Sequence, residues 1–302
     1  SNLITDFGFT KGYKKTSATK KAGQKSHFFS KFVKDFSTEK FESKLSLNLQ
    51  EVSNDKYFKL YKIKSDLVNE NIDNLEKSIN FTYQENDLFF GLNTSSYETL
   101  NETYNDKYEY ILPELIFDKN LISSNKYGKF DIQSNFKTHN YDTNKTTNFL
   151  VNDLNWNSRD LKFSSGVKSK ISGNLKNINY ETKNVDEFKN QPTNELYGAI
   201  GYLNELNLQK ENSGLNHFLT PKIFLRYAPG SMRKEDGGSR LNPTTAFSLD
   251  RLNDINNFET GLTSTVGLDY KINKGDKNLD FSVAQIISDK ENKKMSSISS
   301  MD

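Results

Sequence analysis

The chain has 302 residues, of which 34% are hydrophobic and 26% charged, and its 41 Lys and Arg nearly balance its 39 Asp and Glu. A net charge of +2 gives no overall field that points to nucleic acid, and the absence of cysteine excludes a disulfide framework and thiolate chemistry. So polar a chain could be disordered, but 22 Phe and 15 Tyr argue against that, because disordered segments are poor in aromatic residues. The composition favours a β-sheet with one face in water.

Alternation of apolar and polar residues predicts strands along the whole chain. In residues 41–52, for example, Leu45, Leu47 and Leu49 alternate with polar residues, which places them on one face of a sheet. About fourteen strands and no helix are predicted. The strands are residues 2–10, 26–36, 41–52, 73–84, 88–98, 108–117, 127–138, 146–156, 161–170, 195–208, 221–228, 246–251, 262–270 and 278–288.

The connections between these strands alternate in length. Long ones are predicted at residues 11–25, 53–72, 99–107, 171–193 and 228–242, and short ones at 37–40, 85–87, 157–160, 211–216 and 252–257. Transmembrane barrels of the outer membrane show this asymmetry, and their strands need ~9–11 residues to cross the bilayer. The pattern predicts an all-β fold, an antiparallel meander that forms part of a large transmembrane barrel and is not fully closed. The short connection at residues 273–277 does not fit, since it falls among the long ones.

The same alternation predicts which side chains face lipid. In the last two strands we expect Leu262, Val266, Leu268, Leu279, Phe281 and Val283 to point outward to lipid. Thr263, Thr265, Asp269, Asp280 and Ser282 are expected to line a hydrated lumen.

No motif in the sequence marks an enzyme, a cofactor or a metal site. His27, His139 and His217 are isolated and lack ligands at metal-binding spacing, and no nucleophile motif accompanies them. Gly230 lies in a glycine-containing loop without the lysine or the following helix of a phosphate-binding loop. The basic loop at residues 11–25 is interpreted as a solvated hairpin tip, with contact to phosphates as the alternative. We therefore predict no catalytic, cofactor-binding or metal-binding residues.

Several stretches resemble the LPS-assembly outer-membrane protein family LptD. They are RYAPG (226–230), RL (240–241), FSLDRLND (247–254), FETGLTSTVGLDY (258–270) and FSVAQ (281–285), preceded in order by KSHFFSKF (25–32), SNDKYF (53–58) and YEYILPEL (108–115). The resemblance is most specific in the last hundred residues. Family-motif positions, expected to be structural or lumenal, are Arg226, Tyr227, Pro229, Gly230, Arg251, Glu259, Gly261, Gly267, Tyr270 and Gln285.

The resemblance implies a very large barrel in the outer membrane of a Gram-negative bacterium. Such a barrel receives lipopolysaccharide from periplasmic bridge proteins and delivers it to the outer leaflet. A lipoprotein, LptE, plugs the lumen, and lipid A leaves sideways between the first and last strands, next to outer-membrane lipid. We expect residues 1–302 to be a partial barrel domain, with the periplasmic N-terminal domain and the end of the barrel outside it. No gate residue is assigned.

Other classes of protein remain open at this point. A porin or a plugged receptor would share the strand pattern, and a barrel hydrolase would need a histidine to meet Ser or Asp at one rim. A secreted adhesin sheet would show a repeat period, which this sequence lacks.

Overall fold

In the part of the chain that the structure describes, the fold is a long run of β-strands with one short helix. A computed structural model of the chain describes residues 1–12, 23–69, 71–100, 107–142, 144–212, 214–234, 241–252, 254–275 and 277–295. One helical turn, α1 (Tyr57–Tyr61), and one 3-10 turn (Thr245–Phe247) interrupt the strands. The strands are β1 (Asn2–Gly12), β2 (Gly23–Asp35), β3 (Glu42–Val52), β4 (Asn74–Glu85), β5 (Leu88–Thr99), β6 (Tyr108–Ser124), β7 (Gly128–Tyr141), β8 (Lys145–Asn157), β9 (Leu161–Lys162), β10 (Val167–Lys183), β11 (Thr193–Leu206), β12 (Leu208–Asn212), β13 (Leu215–Ala228), β14 (Gly261–Lys274) and β15 (Lys277–Ser288).

The strands pair in sequence order as an antiparallel meander. The order runs from β1 to β8, then β10, β11, β13, β14 and β15, while the short strands β9 and β12 pair with β10 and β13. Strands β1 and β15 stand at the two ends of this order, so no pairing between them closes the meander among the described residues. The predicted all-β meander, consistent with a partial β-barrel, is confirmed.

No helix in the described part of the chain is both long enough and apolar enough to cross a membrane.

The predicted strand at residues 246–251 is wrong. Thr245–Phe247 is a 3-10 turn, and none of the described residues between it and the start of β14 at Gly261 belongs to a strand. Burial does not follow the alternation there, because Ala246 and Arg251, which would point to opposite faces of a strand, are both buried. Without this strand, the short connection at residues 273–277 fits the alternation of long and short connections. It joins β14 to β15 at the end of the strands opposite to the long connection that precedes β14.

The predicted long loop at residues 171–193 is also wrong. Strand β10 continues to Lys183, and its burial alternates over Asn174, Lys176, Ile178, Tyr180 and Thr182. The predicted strand at 161–170 is instead divided at Gly166, where φ is +84°. The basic loop predicted at 11–25 lies largely outside the described residues.

The chain divides into two compact units. The first contains Ser1–Lys119, Ser134–Leu150 and Asn179–Thr193, and the second contains Asn120–Gln133, Val151–Ile178 and Asn194–Asp302. In the first unit Leu47 pairs with Phe32 and Ile79 on an apolar face, and Ser46 pairs with Asn80 on the polar face. Antiparallel partners share a face, so these rows follow from the register.

In the first unit, the connection between β3 and β4 (residues 53–73, the β3–β4 loop) packs on the strands. Its apolar side chains form one cluster with strand residues, and Phe29 and Leu75 are fully buried there. The buried members are Phe29, Val52, Tyr57, Phe58, Val68, Leu75 and Leu100. Because Phe29 alternates with the exposed Phe28, the loop covers the face of β2 that is opposite to the exposed apolar one.

In the second unit, burial follows the predicted division of β14 side chains between two faces at four positions. Leu262 and Val266 are exposed, at 47% and 38%, whereas Thr263 and Thr265 are buried, at 4% and 0%. On β15 the apolar residues are exposed as predicted, but the carboxyl-bearing side chain of Asp280 is 66% exposed as well. Among the described strands β15 pairs only with β14, and most of its side chains on both faces are exposed.

Candidate functional site

The connection between β13 and β14 (residues 229–260, the β13–β14 loop) folds onto the polar face of the second unit. Its side chains Ala246 and Phe258 are fully buried, and Met232 and Leu252 are 1% exposed. The hydroxyl of Thr265 on β14 donates to the carbonyl oxygen of Ala246 at 3.1 Å. The loop is therefore a packed part of the unit, with its own small core.

Arg226 of β13 is the largest fully buried side chain of the described residues. Its Nε donates to the carbonyl oxygen of Leu249 at 2.6 Å, and its Nη2 donates to the carbonyl oxygen of Glu259. Its guanidinium carbon lies 5.5 Å from the centre of the Phe258 ring, within cation–π range. One strand side chain thus holds the middle and the end of the loop through main-chain carbonyl groups.

Arg251 and Glu259 form a buried bidentate ion pair inside the loop. Nε of Arg251 donates to Oε2 of Glu259 at 2.7 Å, and Nη2 donates to the other carboxylate oxygen and to Oγ1 of Thr263 at 3.2 Å. The side chains of Arg251 and Glu259 are 1% and 8% exposed. The planar guanidinium matches the carboxylate, so the pair fixes direction as well as distance.

Lys176 of β10 is a second strand cation directed at the loop. Its Nζ donates to Oδ2 of Asp250 at 2.7 Å and to the carbonyl oxygens of Asp254 and Asn257 at 3.2 and 3.4 Å. A carboxylate oxygen of Asp153 lies 3.5 Å away. Burial raises the pKa of the Asp250 carboxyl above its ordinary value, although the charge of Lys176 opposes the shift.

Nine of the ten predicted family-motif residues separate into three groups. Arg226 of β13 comes together with Arg251 and Glu259 of the β13–β14 loop. Pro229, Gly230 and Gly261 lie at the ends of that loop, where Gly230 and Gly261 have φ of +105° and +130°. Tyr227, Tyr270 and Gln285 lie on the other face, away from the loop; Tyr227 is 51% exposed, and the Tyr270 hydroxyl bonds to Nδ1 of His217 at 2.8 Å.

Gly267 lies where the loop and two strands approach closely. A Cβ atom at this position would lie 2.4 Å from the carbonyl oxygen of Val283 and 3.0 Å from Cζ of Phe247. Glycine is required here by space rather than by backbone conformation. Gly267 thus belongs to the strand surface on which the loop packs, although it makes no ionic contact.

The sequence analysis missed Lys176 and Asp153 as parts of this cluster. Lys176 fell in the region wrongly predicted as a loop, because the flanking asparagines hide the alternation of β10. The alternation of Asn174, Lys176 and Ile178 with Leu175 and Asn177 was the available signal. Nothing in the sequence indicates that an acid from β8 meets a lysine from β10.

The three histidines occupy separate places. His27 contacts Tyr57 and Asp6, Nε2 of His139 lies 2.7 Å from Glu109, and His217 contacts Tyr270. Within the described ranges no group of three or more His, Asp or Glu side chains could hold a metal ion.

These features define a class of protein. Antiparallel strands of 11 to 17 residues, such as β1 and β6, are long enough to cross a bilayer, and they carry an exposed apolar face opposite a polar one. This is the architecture of the wall of an outer-membrane β-barrel.

The family follows from comparison with known proteins. The profile of the LptD family, described as LPS transport system D, matches residues 26–300, and the chain belongs to this family. It is therefore a protein of lipopolysaccharide transport at the outer membrane, a transport protein by family rather than an enzyme. No curated protein matches the chain.

Proposed function

We propose that this chain forms part of the barrel wall of a translocon that inserts lipopolysaccharide into the outer leaflet of a Gram-negative outer membrane. Periplasmic bridge proteins supply the cargo, a lipoprotein of the LptE kind plugs the lumen, and lipid A leaves sideways into outer-membrane lipid. Residues 1–302 are then a partial barrel domain whose partners bind outside it or in its lumen. The family match supports the transport of lipopolysaccharide. The sheet, with one apolar and one polar face, supports the proposal that the chain forms barrel wall.

The cargo has two kinds of surface, and the sheet offers a match for each. The phosphates and sugars of lipopolysaccharide need a hydrated path, while its acyl chains need an apolar one. On the polar face of the second unit Lys222 pairs with Asp269, and Thr263 and Thr265 contact the loop. Dispersed charges of both signs suit a wide hydrated path, because selective pores concentrate charge at a constriction.

The family-motif residues divide into two roles in this proposal. Arg226, Arg251 and Glu259 hold the β13–β14 loop on the lumenal face. Pro229, Gly230 and Gly261 allow the turns at the two ends of the loop, and Gly267 leaves space for the loop to pack on β14. Tyr227, Tyr270 and Gln285 lie on the face turned to the membrane. Tyrosines at that position suit the aromatic girdle of an outer-membrane barrel.

Two neighbouring substitutions on β14 test the assignment of the faces. Leu268→Arg in the full-length protein should impair barrel assembly, because Arg on the lipid face costs ~2–4 kcal/mol at the bilayer midplane. Asp269→Asn should leave transport nearly intact, since Asp269 is 44% exposed and its pair with Lys222 is a surface contact. The measurements are outer-membrane permeability to large antibiotics and the amount of folded protein.

The opposite result would refute the proposal. If Asp269→Asn abolished transport at normal protein levels while Leu268→Arg folded and functioned normally, the face with Leu268 would not be the membrane face. A selective small-solute pore would instead show changed ion selectivity in Asp269→Asn.

A further inference from the structure

His27 is a buried polar side chain on the covered face of β2 in the first unit. Its side chain is 7% exposed, and its ring stacks on Phe29 with centroids 4.8 Å apart. Gly8 of β1 is its register partner, and a Cβ at Gly8 would lie only 2.6 Å from Cε1 of the ring. The missing side chain at Gly8 therefore leaves the space in which the imidazole lies.

Both ring nitrogens of His27 have partners from other elements. Nε2 lies 3.2 Å from Oδ1 of Asp6 on β1, and Nδ1 lies 2.9 Å from the hydroxyl of Tyr57 on α1. An ionised carboxylate only accepts, so in the neutral ring Nε2–H donates to Asp6 and the Tyr57 hydroxyl donates to Nδ1. Asp6 also hydrogen-bonds Ser65 of the β3–β4 loop.

These contacts connect β1 to the β3–β4 loop, which is distant in sequence. Strand β1 stands at one end of the strand order, and in the described sheet it pairs only with β2. Ile4, Thr5 and Asp6 line an open cavity of about 700 Å³ whose other wall is the loop segment from Ile63 to Asn69. Since open space separates much of these walls, the polar bridge is an important connection between them.

We propose that His27 is a positioning residue, which with Asp6 and Tyr57 ties β1 to the β3–β4 loop and sets how freely β1 separates from the sheet. The loop itself is anchored to the strands by its apolar cluster, so the bridge joins β1 to a loop that already packs on the sheet. Through the bridge, a change in the loop alters the freedom of β1 without altering the backbone pairing of β1 with β2.

Hydrogen exchange of the purified full-length protein tests the bridge directly. Tyr57→Phe removes only the hydroxyl and keeps the packing, and we expect exchange of β1 amides to rise roughly fivefold, the factor of one net hydrogen bond. His27→Phe should raise it roughly thirtyfold, because both bonds are lost. His27→Gln, which offers a donor and an acceptor, should restore slow exchange. His139→Phe, which also removes a strand histidine paired with a carboxylate, is the control and should leave β1 unchanged.

Two results would overturn the inference. One is unchanged exchange of β1 in both Tyr57→Phe and His27→Phe. The other is an equal increase in β1 and in β4–β5, because His27 would then merely stabilise the whole unit. Exchange does not depend on transport, so these results are independent of the permeability test of the proposed function.

Discussion

Two long loops fold onto polar faces of the sheet, and they are held by opposite kinds of chemistry. The β3–β4 loop of the first unit is held by an apolar cluster that includes Tyr57, Phe58 and Val68, and its ionic contact lies at the edge. There Lys107 pairs with Asp55 and Glu98, at 2.7 and 2.8 Å, while its side chain is 33% exposed. The β13–β14 loop of the second unit instead has its charges in the interior, where Arg251 and Lys176 are 1% and 3% exposed.

The two loops differ in how precisely their positions are fixed more than in how strongly they are held. Apolar burial is non-directional, so a cluster of this kind tolerates small shifts of the β3–β4 loop. Buried charges lose their hydration, and their ion-pair and hydrogen-bond partners compensate this loss only in one geometry. The β13–β14 loop therefore has a single well-defined position. The partly exposed Lys107 illustrates the contrast. Its hydrogen bonds to Asp55 and then Glu98 raise the pKa of its ammonium, so it stays charged at working pH, and as a pair near the surface it adds little stability.

Breaking the buried pair of the second unit should give the largest effect. Glu259→Leu leaves Arg251 charged, buried and without its carboxylate, and such losses cost about 3–5 kcal/mol of unfolding free energy. We expect little folded full-length protein, measured by the mobility of unheated samples in SDS gels. Glu211→Leu, at an exposed glutamate of β12, is the matched control and should fold normally.

The double variant Arg251→Met with Glu259→Leu tests the same idea from the other side. Removing both charges avoids the uncompensated ion, so the double variant should fold better than Glu259→Leu alone. If the double variant were as unstable as the sum of the single variants, the buried charges would not act as a pair.

The apolar cluster of the first unit should respond to loss of volume. Phe58→Ala removes a buried ring, and we expect a cost of about 3 kcal/mol, at the lower end for Phe→Ala, because the loop can partly close the space. Limited proteolysis should then cleave the β3–β4 loop while the β13–β14 loop stays protected. Equal cleavage of both loops would contradict the local role of the cluster.

The stability of the strand surface under the β13–β14 loop should be sensitive to a single added methyl group. Gly267→Ala places Cβ against the backbone of Val283, and we expect about 1–3 kcal/mol of destabilisation, as for other overpacked sites. Gly173→Ala on β10 is the control, because its nearest atom would be Cε3 of Trp156 at an ordinary 3.6 Å. Denaturant unfolding in lipid vesicles compares the two variants, and equal unfolding midpoints would show that the packing around Gly267 is no closer than that around Gly173.

The smallest effect should be that of pH on Asp250. Because burial raises the pKa of this carboxyl in the folded protein, the folded state binds a proton more readily than the unfolded chain. The contribution of Asp250 is therefore most favourable below its unfolded value of 3.8 and is lost as pH rises through the folded pKa. Asp250→Asn should flatten the slope of stability against pH over that window, and an unchanged slope would contradict the assignment.

The sequence predicts the strands well and the loops poorly, for a physical reason. Strand residues such as Leu45 and Leu47 face one of two environments, and a period of two is visible in a single sequence. The run from Ala246 to Arg251 shows the same period but is not a strand, because its burial comes from contacts with β13 and β14. Recognising that required the partners of Arg226 and Thr265, which are distant in the chain.

The candidate site was predictable as a set of residues but not as an arrangement. Arg226, Arg251 and Glu259 stood out because they belong to the family motif, yet Tyr270 and Gln285 stood out equally and lie on the other face. Lys176 belongs to the cluster without belonging to the motif. A motif identifies positions under common constraint, and only the register and the loop path decide which of them meet.

The two carbonyl bonds of Arg226 have a consequence for the order of folding. Bringing β14 beside β13 closes a loop of 32 residues, from 229 to 260, and the entropic cost is of order 3 kcal/mol. Contact of Arg226 with Leu249 and then with Glu259 divides this closure into two shorter ones. Arg226 therefore acts as a non-covalent staple, and its loss should slow the pairing of β14 with β13 even where the finished barrel is stable enough to survive.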